Sequence, residues 1–493
     1  MQDLKQRTLR GGFVKVCSQG VNFAIRVGSL MMLARLLDPK DFGLVAMVTV
    51  VTGVFTLFKD AGLSTVTVQR ASMSDEQLST LFWINILVGS VLAALTMGAA
   101  PVLAGFYREP RLVSVTLILA VGFLFNAAGV QHSALLQRQM RFATVAAVET
   151  FALVGSTVIG VGMAIVGWGY WALVVMTVAL PGLAMLGFWV TTGWIPGPPR
   201  RGSDVGSMMR FGGTVTLNSL VVYAGYNADK ILLGRLWGAE VLGIYGRAYQ
   251  LISIPTDNLN AAVGTVALSA LSRVQNDQDR FRSYFQKGYS LTLVLTVPLT
   301  VCCALFADDI VYVLLGAKWA SAAPIFRYLA PTILAFALIN PLYWLLVSSG
   351  HVGRSLKMAF VIAPLVILAY VAGLPFGSVG VAVGYSTMMV LLAVPLIIWA
   401  THGLVVSAGD IANAARPSVI SAGVAAVISF AFAHSWGQAF HPLPRLVLEV
   451  SVLVAAYLGM LLFVVGQKSF YFDLLGDLAK GSRGKPLETV ATN

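Results

Sequence analysis

Residues 226–251, YNADKILLGRLWGAEVLGIYGRAYQL, place Asp229, Lys230, Arg235 and Arg247 between apolar runs that are too long for a soluble helix. A charged side chain at the centre of a bilayer costs about 2.5–3.5 kcal/mol, so such residues usually turn towards a cavity and mark function. The stretch therefore predicts a membrane protein with charged groups directed inwards.

The same pattern occurs earlier in the chain, at an offset of 200 residues. LARL at 33–36 and FGL at 42–44 correspond to LGRL at 233–236 and LGI at 242–244. Six predicted spans separate the two copies, so both enter the membrane from the same side. This spacing predicts a parallel repeat with its axis along the membrane normal, as in some transporters.

The composition excludes a soluble globular protein. Of the 493 residues, 57% are hydrophobic and 11% are charged, whereas an average chain carries about 25% charged residues. Crossing the hydrocarbon core takes about 20 apolar residues, and fourteen stretches of that kind follow one another along the chain.

The basic residues indicate an orientation in the membrane rather than a nucleic-acid partner. The net charge is +12, but Lys and Arg are spread over short loops. With fourteen spans, the loops and tails on the side of the termini hold 20 of them, and the opposite loops hold 5. By the positive-inside rule, both termini are expected in the cytoplasm.

A proline- and glycine-rich linker, WIPGPPRRGSD at 194–204, separates the two copies because it forbids a continuous helix. The sequence predicts an all-α polytopic membrane protein of about 14 transmembrane helices. Two six-helix lobes related by internal duplication are followed by two additional helices. The predicted boundaries are 1–200 for the N-terminal lobe, 201–405 for the C-terminal lobe, 406–466 for the additional helices and 467–493 for a cytoplasmic tail.

Two polar stripes run along predicted spans. Lys15, Asn22 and Arg26 recur at helical spacing on the first span, and in lipid such a stripe must face other helices or water. A second stripe on the seventh span includes Tyr223, Tyr226 and Lys230. Hydroxyls and aromatic faces at this spacing suit sugars, but they also suit a contact face between helices.

Charged residues in or beside the spans give a presumed central cavity a net charge of +4. Arginine binds phosphate in bidentate fashion, so a basic cavity indicates a substrate with an anionic head group. The alternative is that residues near span ends reach out to the interface. The bases are Lys15, Arg26, Arg35, Lys59, Lys230, Arg235, Arg247 and Arg327, and the acids are Asp60, Glu149, Asp229 and Asp257.

The four acids could couple transport to a cation or neutralise nearby bases. Which cation, H⁺ or Na⁺, the sequence leaves open. The cysteines and histidines lack metal-ligand spacing, and there is no P-loop. Neither a catalytic residue, a metal nor a cofactor is therefore expected.

Several motifs together resemble the bacterial polysaccharide repeat-unit flippases of the multidrug/oligosaccharidyl-lipid/polysaccharide exporter superfamily, in the branch of colanic-acid-type exporters. The resemblance extends to about residue 470. The motifs are LARLLDPKDFGL (33–44), FKDAGLSTVTVQR (58–70), ALLQRQMRF (134–142), GWGYWAL (167–173), NADKILLGRLWG (227–238), GIYGRAYQL (243–251), SALSRVQNDQDRFRSYF (269–285) and KWASAAPIFRYLA (318–330).

The resemblance implies a transporter, not an enzyme, that flips undecaprenyl-pyrophosphate-linked oligosaccharide repeat units for lipopolysaccharide or exopolysaccharide synthesis. It implies the bacterial inner membrane, with the lipid-linked oligosaccharide and membrane lipids as partners and a polysaccharide polymerase as a candidate partner. The substrate-binding candidates are then Lys15, Asn22, Arg26, Tyr223, Tyr226, Lys230 and Arg247. The alternatives are a cation-coupled multidrug exporter of the same superfamily and a membrane-embedded polysaccharide polymerase or ligase.

Overall fold

Every regular element in the described part of the computed structural model is a helix. The structure describes residues 2–58, 64, 67–68, 73–199, 206–435, 441–468 and 471. Within these ranges, the undescribed side chains are those of 2–17, 206–219, 221, 261–262, 265–266 and 269. The side chain of Lys15 and the whole of Asp60 therefore lie outside the description.

The described part of the first copy contains six long helices. They are α1 (Gln2–Leu36), α2 (Pro39–Thr56), α3 (Asp75–Tyr107), α4 (Leu112–Arg138), α5 (Phe142–Ile165) and α6 (Tyr170–Thr192).

Local chemistry fixes some of these ends. Before α3, the Gln77 backbone N–H donates to Ser74 Oγ at 3.2 Å, and the Ser74 N–H donates to Gln77 Oε1 at 3.1 Å. This reciprocal capping satisfies two donors that a helix start leaves open. After α6, Gly193 takes a φ of 61°, which glycine adopts without steric cost.

The next element, α7 (Gly206–Arg273), consists of two helices joined at Gly238. The φ of 83° and ψ of −177° at this glycine are not helical. The break falls between the seventh and the eighth of the fourteen predicted spans.

The remaining helices follow with short interruptions. They are α8 (Gln278–Leu305), α9 (Ala307–Leu315), α10 (Ala322–Leu329), α11 (Pro331–Ser348), α12 (Val352–Gly373), α13 (Gly377–Thr401), α14 (Ala408–Ser435) and α15 (Pro442–Gly459), with 3₁₀ turns at Ala317–Trp319 and Leu374–Phe376 and a π turn at Met460–Val464.

Ten helical stretches in the described residues are long and apolar enough to cross a membrane, judged by length and composition. One of them, Val352–Thr401, contains both α12 and α13. These stretches therefore correspond to eleven of the fourteen predicted spans. The other three predicted spans coincide with helix α1 and the two parts of α7. The prediction of an all-α polytopic membrane protein is confirmed.

The chain divides into two compact units that differ from the predicted lobes. The first comprises Met1–Arg247, Leu314–Ala322 and Ala359–Val381, and the second comprises Ala248–Val313, Ala323–Met358 and Ala382–Asn493. In the first unit, α4 packs against α3 and α6, and α5 packs against α6 and α1. In the second unit, α14 packs against α8 and α15. The lobe boundaries near 200, 405 and 466 stay predictions.

Within the first unit, two glycines make reciprocal contacts between the sequence copies. A Cβ atom added to Gly43 would lie 1.7 Å from the Ala239 carbonyl oxygen, and one added to Gly243 would lie 1.9 Å from the Pro39 carbonyl oxygen. Each pair becomes the other when its numbers are shifted by 200. Reciprocity of this kind is what a two-fold axis between two copies produces, and it agrees with the duplication in the sequence. We call these two pairs the glycine contact.

Two further contacts join aromatic side chains to the Leu-x-Arg-Leu segments, although the two aromatic residues are not 200 positions apart. Trp319 Nε1 donates to the Ala34 carbonyl oxygen at 2.8 Å in a buried position. A Cβ atom on Gly234, the counterpart of Ala34, would lie 2.9 Å from Tyr107 Cε1. In each case, an aromatic ring beyond a membrane helix packs on the other copy's Leu-x-Arg-Leu segment.

Candidate functional site

A cavity of about 550 Å³ lies between α1, α4, α5 and α6 in the first unit. Its wall combines two charged side chains, polar amides and a hydroxyl with apolar side chains. The lining residues are Asn22, Arg26, Phe125, Asn126, Gly129, Val130, Ser133, Glu149, Ala152, Leu153, Leu180, Pro181, Ala184, Met185 and Phe188.

Arg26 is the cation of this cavity, and it is exposed although it lies well inside the first span. Among the residues that the structure describes, no side chain forms a hydrogen bond or an ion pair with its guanidinium. A guanidinium carries five N–H donors in a rigid fork that matches carboxylate and phosphate. The cavity therefore presents to an anion a bidentate donor that no described side chain engages.

Asn22 lies one helical turn before Arg26 and has a fixed orientation. Thr150 Oγ1 on α5 donates to Asn22 Oδ1 at 3.0 Å. Because this bond occupies the amide oxygen, the two donors on Asn22 Nδ2 are left to a ligand. The first-span stripe thus supplies two adjacent donor groups.

Glu149 lines the same cavity from α5 and is exposed there. In the described structure it forms no ion pair with Arg26. The described part of the cavity wall therefore contains one base and one acid, and the base forms no ion pair with a described residue.

Asp229 and Lys230 lie in the first unit but do not line this cavity. Asp229 is fully buried, and its carboxylate accepts from Tyr245 Oη at 2.7 Å and from the Lys230 backbone N–H at 2.8 Å. The Lys230 ammonium donates to Asn227 Oδ1 at 2.9 Å and lies 4.0 Å from Asp229 Oδ1. The Tyr245 hydrogen bond joins the two helices of α7 across Gly238, and the Lys230 contacts stay within the first of them.

Tyr223 and Arg247 pack against α2. Tyr223 Oη donates to the Val50 carbonyl oxygen at 2.7 Å. The Arg247 guanidinium carbon lies 4.3 Å from the centre of the Phe42 ring, which is within cation–π range. For Tyr223, the structure shows the helix–helix contact that was the alternative to sugar binding.

The other candidates lie elsewhere. Asp257 is exposed in the second unit, and Tyr226 is half-buried outside the cavity wall. Arg235 lies over the Phe106 ring at 5.6 Å, and Arg327 donates to Asp308 Oδ2 at 2.5 Å.

Asn126 and Ser133 are lining residues that the sequence analysis missed. They lie on α4 with Gly129 between them, at steps of three and four. A small and polar stripe of this spacing within an apolar span is the same pattern that marks Asn22 and Arg26. In the described ranges, no cluster of His, Cys, Asp or Glu is suited to hold a metal ion.

Comparison with known families decides the assignment. The model of a family described as "Polysaccharide biosynthesis protein" matches residues 32–324, more than half of the chain. The chain belongs to this polysaccharide biosynthesis family.

Several relatives in bacteria share this assignment. The chain is 25% identical to the lipopolysaccharide biosynthesis protein WzxC of Escherichia coli (strain K12), over 79% of this chain and 80% of WzxC. It is 32% identical to the teichuronic acid biosynthesis protein TuaB of Bacillus subtilis (strain 168), over 59% of this chain and 61% of TuaB. It is 24% identical to the succinoglycan biosynthesis transport protein ExoT of Rhizobium meliloti (strain 1021), over 64% of each chain.

Solved structures show which fold this family member adopts. The lipid II flippase MurJ in an inward closed conformation superposes with a TM-score of 0.74, at 13% identity, covering 93% of this chain and 99% of MurJ. A multidrug resistance MATE family transporter of the MOP superfamily, in an inward-facing conformation, superposes with a TM-score of 0.60 at 14% identity, over 80% of this chain and 96% of that chain.

Proposed function

We propose that this chain flips undecaprenyl-pyrophosphate-linked oligosaccharide repeat units across the cytoplasmic membrane for lipopolysaccharide or exopolysaccharide synthesis. The observation that carries the proposal is the Arg26 guanidinium, exposed in a 550 Å³ cavity without an ion-pair partner among the described residues. The names of WzxC, TuaB and ExoT support a polysaccharide pathway.

The mechanism needs binding and release but no bond chemistry. Arg26 binds the pyrophosphate through its fork, and the Asn22 amide adds a neutral donor one turn away. The flexible lipid stays in the bilayer while the head group occupies the cavity. Access then alternates between the two sides of the membrane, as in other transporters built from repeats.

The multidrug-exporter alternative is less well supported. A lipophilic cation would meet the Arg26 charge on entering the cavity, and only Glu149 on the wall would attract it. The likeness to a MATE transporter is a likeness of fold at 14% identity. For the membrane-enzyme alternative, the relatives' names point the other way, since ExoT is called a transport protein.

Orientation and partners complete the proposal. We place both termini in the cytoplasm, because Lys and Arg are concentrated in the loops on that side. A polysaccharide polymerase receives the flipped unit on the opposite side. Reporter fusions after Trp194 and after the tail test this orientation, and a periplasmic signal from either one would contradict it.

Binding to purified protein in nanodiscs tests the substrate class. Charge-assisted hydrogen bonds contribute about 1.5–3 kcal/mol each, so Arg26→Gln should weaken binding of undecaprenyl pyrophosphate about tenfold to a hundredfold. Arg26→Lys should recover only part of this loss, because an ammonium is a point charge rather than a fork.

Arg273→Gln is the matched control. Arg273 is exposed at the end of α7 and lines no part of the cavity, so this variant should bind like the wild type. Wild-type protein that binds a lipophilic cation more tightly than undecaprenyl pyrophosphate would refute the proposed substrate class.

A further inference from the structure

A second cavity of about 210 Å³ adjoins the Arg26 cavity and shares Asn126 and Pro181 with it. It lies between α2, α4 and α6, and we call it the threonine chamber. None of the lining residues that the structure describes is charged. They are Thr49, Thr52, Gly53, Thr56, Leu119, Gly122, Phe123, Asn126, Thr177 and Pro181.

The four threonine hydroxyls in this chamber already donate hydrogen bonds within the protein. Each hydroxyl donates to a backbone carbonyl of its own helix, so each Oγ1 atom offers only lone pairs to a ligand. The bonds run from Thr49 to Val45 at 3.0 Å, from Thr52 to Val48 at 3.0 Å, from Thr56 to Gly53 at 2.6 Å and from Thr177 to Leu173 at 2.8 Å.

Asn126 adds a further acceptor at the boundary between the two cavities. Its Oδ1 atom is buried, and no donor among the described residues lies within hydrogen-bond distance of it. Buried polar atoms normally have a partner, so an unpartnered one calls for a ligand or water. The polar atoms of the threonine chamber are therefore acceptors, and they suit a ligand that carries hydrogen-bond donors.

The rest of the wall is apolar. Phe123, Leu119 and Pro181 supply ring and hydrocarbon surface. At Gly122 the nearest atom to an added Cβ would be Pro181 Cγ, at 4.0 Å. The chamber wall thus combines acceptor oxygens with apolar ring and hydrocarbon surface.

Two kinds of ligand could satisfy such acceptors, a polyol through its hydroxyl donors and a metal cation through coordination. Cations such as Ca²⁺ are held by oxygen ligands converging at about 2.3–2.6 Å, usually with carboxylates among them. The lining residues that the structure describes include no carboxylate, and their threonines are distributed over two helices. A sugar ring instead carries hydroxyl donors on its edge and C–H groups on its face, which match this wall.

We propose that the threonine chamber binds a sugar of the lipid-linked oligosaccharide, beside the pyrophosphate held at Arg26. This inference rests on the proposed function. In the substrate, the pyrophosphate is bonded directly to the first sugar, and in the protein the two cavities meet directly at Asn126. The protein then recognises the linkage region of the substrate, with charge on one side and neutral acceptors on the other.

The test compares two probes, undecaprenyl pyrophosphate and undecaprenyl pyrophosphate carrying a hexose, on protein in nanodiscs. Thr52→Val and Thr177→Val each keep the side-chain shape and remove one acceptor oxygen. A neutral hydrogen bond contributes about 0.5–1.5 kcal/mol, or about two- to tenfold in affinity. Each variant should therefore lose two- to tenfold for the hexose-bearing lipid and nothing for the sugarless lipid.

Thr116→Val is the matched control. Thr116 on α4 is fully buried and bonds back to the Leu112 carbonyl oxygen at 2.6 Å, but it lines neither cavity. This variant should bind both probes like the wild type. Equal losses in Thr116→Val and Thr52→Val, or no loss for the hexose-bearing lipid in the chamber variants, would overturn the sugar site.

The two proposals fail in different ways. If Arg26→Gln leaves binding of both probes unchanged while the chamber variants lose the hexose-bearing lipid, the pyrophosphate role falls and the sugar site stands. If wild-type protein binds neither probe, both fall. Sodium binding that the chamber variants abolish would make the chamber a cation site and overturn the sugar assignment.

Discussion

Replacing Gly43 with alanine tests how closely the two sequence copies approach each other. The new Cβ atom would lie 1.7 Å from the Ala239 carbonyl oxygen, 2.5 Å from its carbonyl carbon and 2.9 Å from its Cα. All three are backbone atoms, so a side-chain rotation cannot relieve the clash. The helix α2 and the second part of α7 must therefore separate locally.

Overpacking of a close contact typically costs about 1–3 kcal/mol, and a backbone clash belongs at the upper end of this range. Alanine is favoured over glycine in a helix by about 1 kcal/mol, which offsets part of the cost. We expect Gly43→Ala to lower the free energy of unfolding by about 2 kcal/mol. Gly243→Ala, which meets the Pro39 carbonyl oxygen at 1.9 Å, should have a similar effect.

Thermal unfolding in detergent, followed by the fluorescence of a thiol-reactive dye, gives the measurement. Gly98→Ala is the control, because nothing lies within 4 Å of a Cβ atom at this helical glycine, and it should not destabilise the protein. The double variant should lose less than the sum of the single losses, because one separation relieves both clashes. Wild-type stability in Gly43→Ala, or full additivity in the double variant, would refute the reciprocal contact.

Two further predictions concern ion pairs. Arg445 donates through Nε to Asp309 Oδ2 at 2.8 Å and through Nη2 to Oδ1, and Asp309 is buried, so Arg445→Met should lower the free energy of unfolding by about 3–5 kcal/mol. Arg445→Met with Asp309→Asn should recover most of that loss in the same thermal assay, and an equally unstable double variant would contradict the ion-pair explanation. Between α3 and α4, the hydrogen bond from Arg111 to the Glu109 carboxylate lowers the pKa of Glu109. The stability from this pair is present above the unfolded pKa of Glu109 and is lost as pH falls through the lower folded pKa. Glu109→Gln should remove that acidic part of the stability profile, and an unchanged profile would show that the pair contributes nothing.

The membrane fold and one side of the site follow directly from the sequence. Asn22 and Arg26 are polar residues at helical spacing in an apolar span, and lipid excludes them from the outer surface. The structure places both on the cavity wall together with Glu149. Their role in binding substrate stays a prediction.

The same reasoning does not separate a cavity wall from a packed contact. Tyr223 and Arg247 also turn inwards, but they contact Val50 and Phe42, which lie more than 170 residues away in the chain. Spacing along one helix carries no information about which surface faces it. The threonine chamber was missed for a related reason, because a threonine in a membrane helix usually bonds to its own backbone.

The glycine contact has the reciprocal geometry of an interface between two identical subunits, although both of its sides belong to one polypeptide. In a homodimer, every substitution falls on both sides of the axis at once, whereas fusion lets each side change alone. Arg247 on Phe42 illustrates the difference, since the positions 200 residues away are Met47 and Leu242, both buried beside Gly234. One of the two related contacts thus consists of a cation and an aromatic ring, while the other is apolar. Two repeats in one chain can therefore hold a charged contact on one side of a symmetric arrangement and an apolar contact on the other.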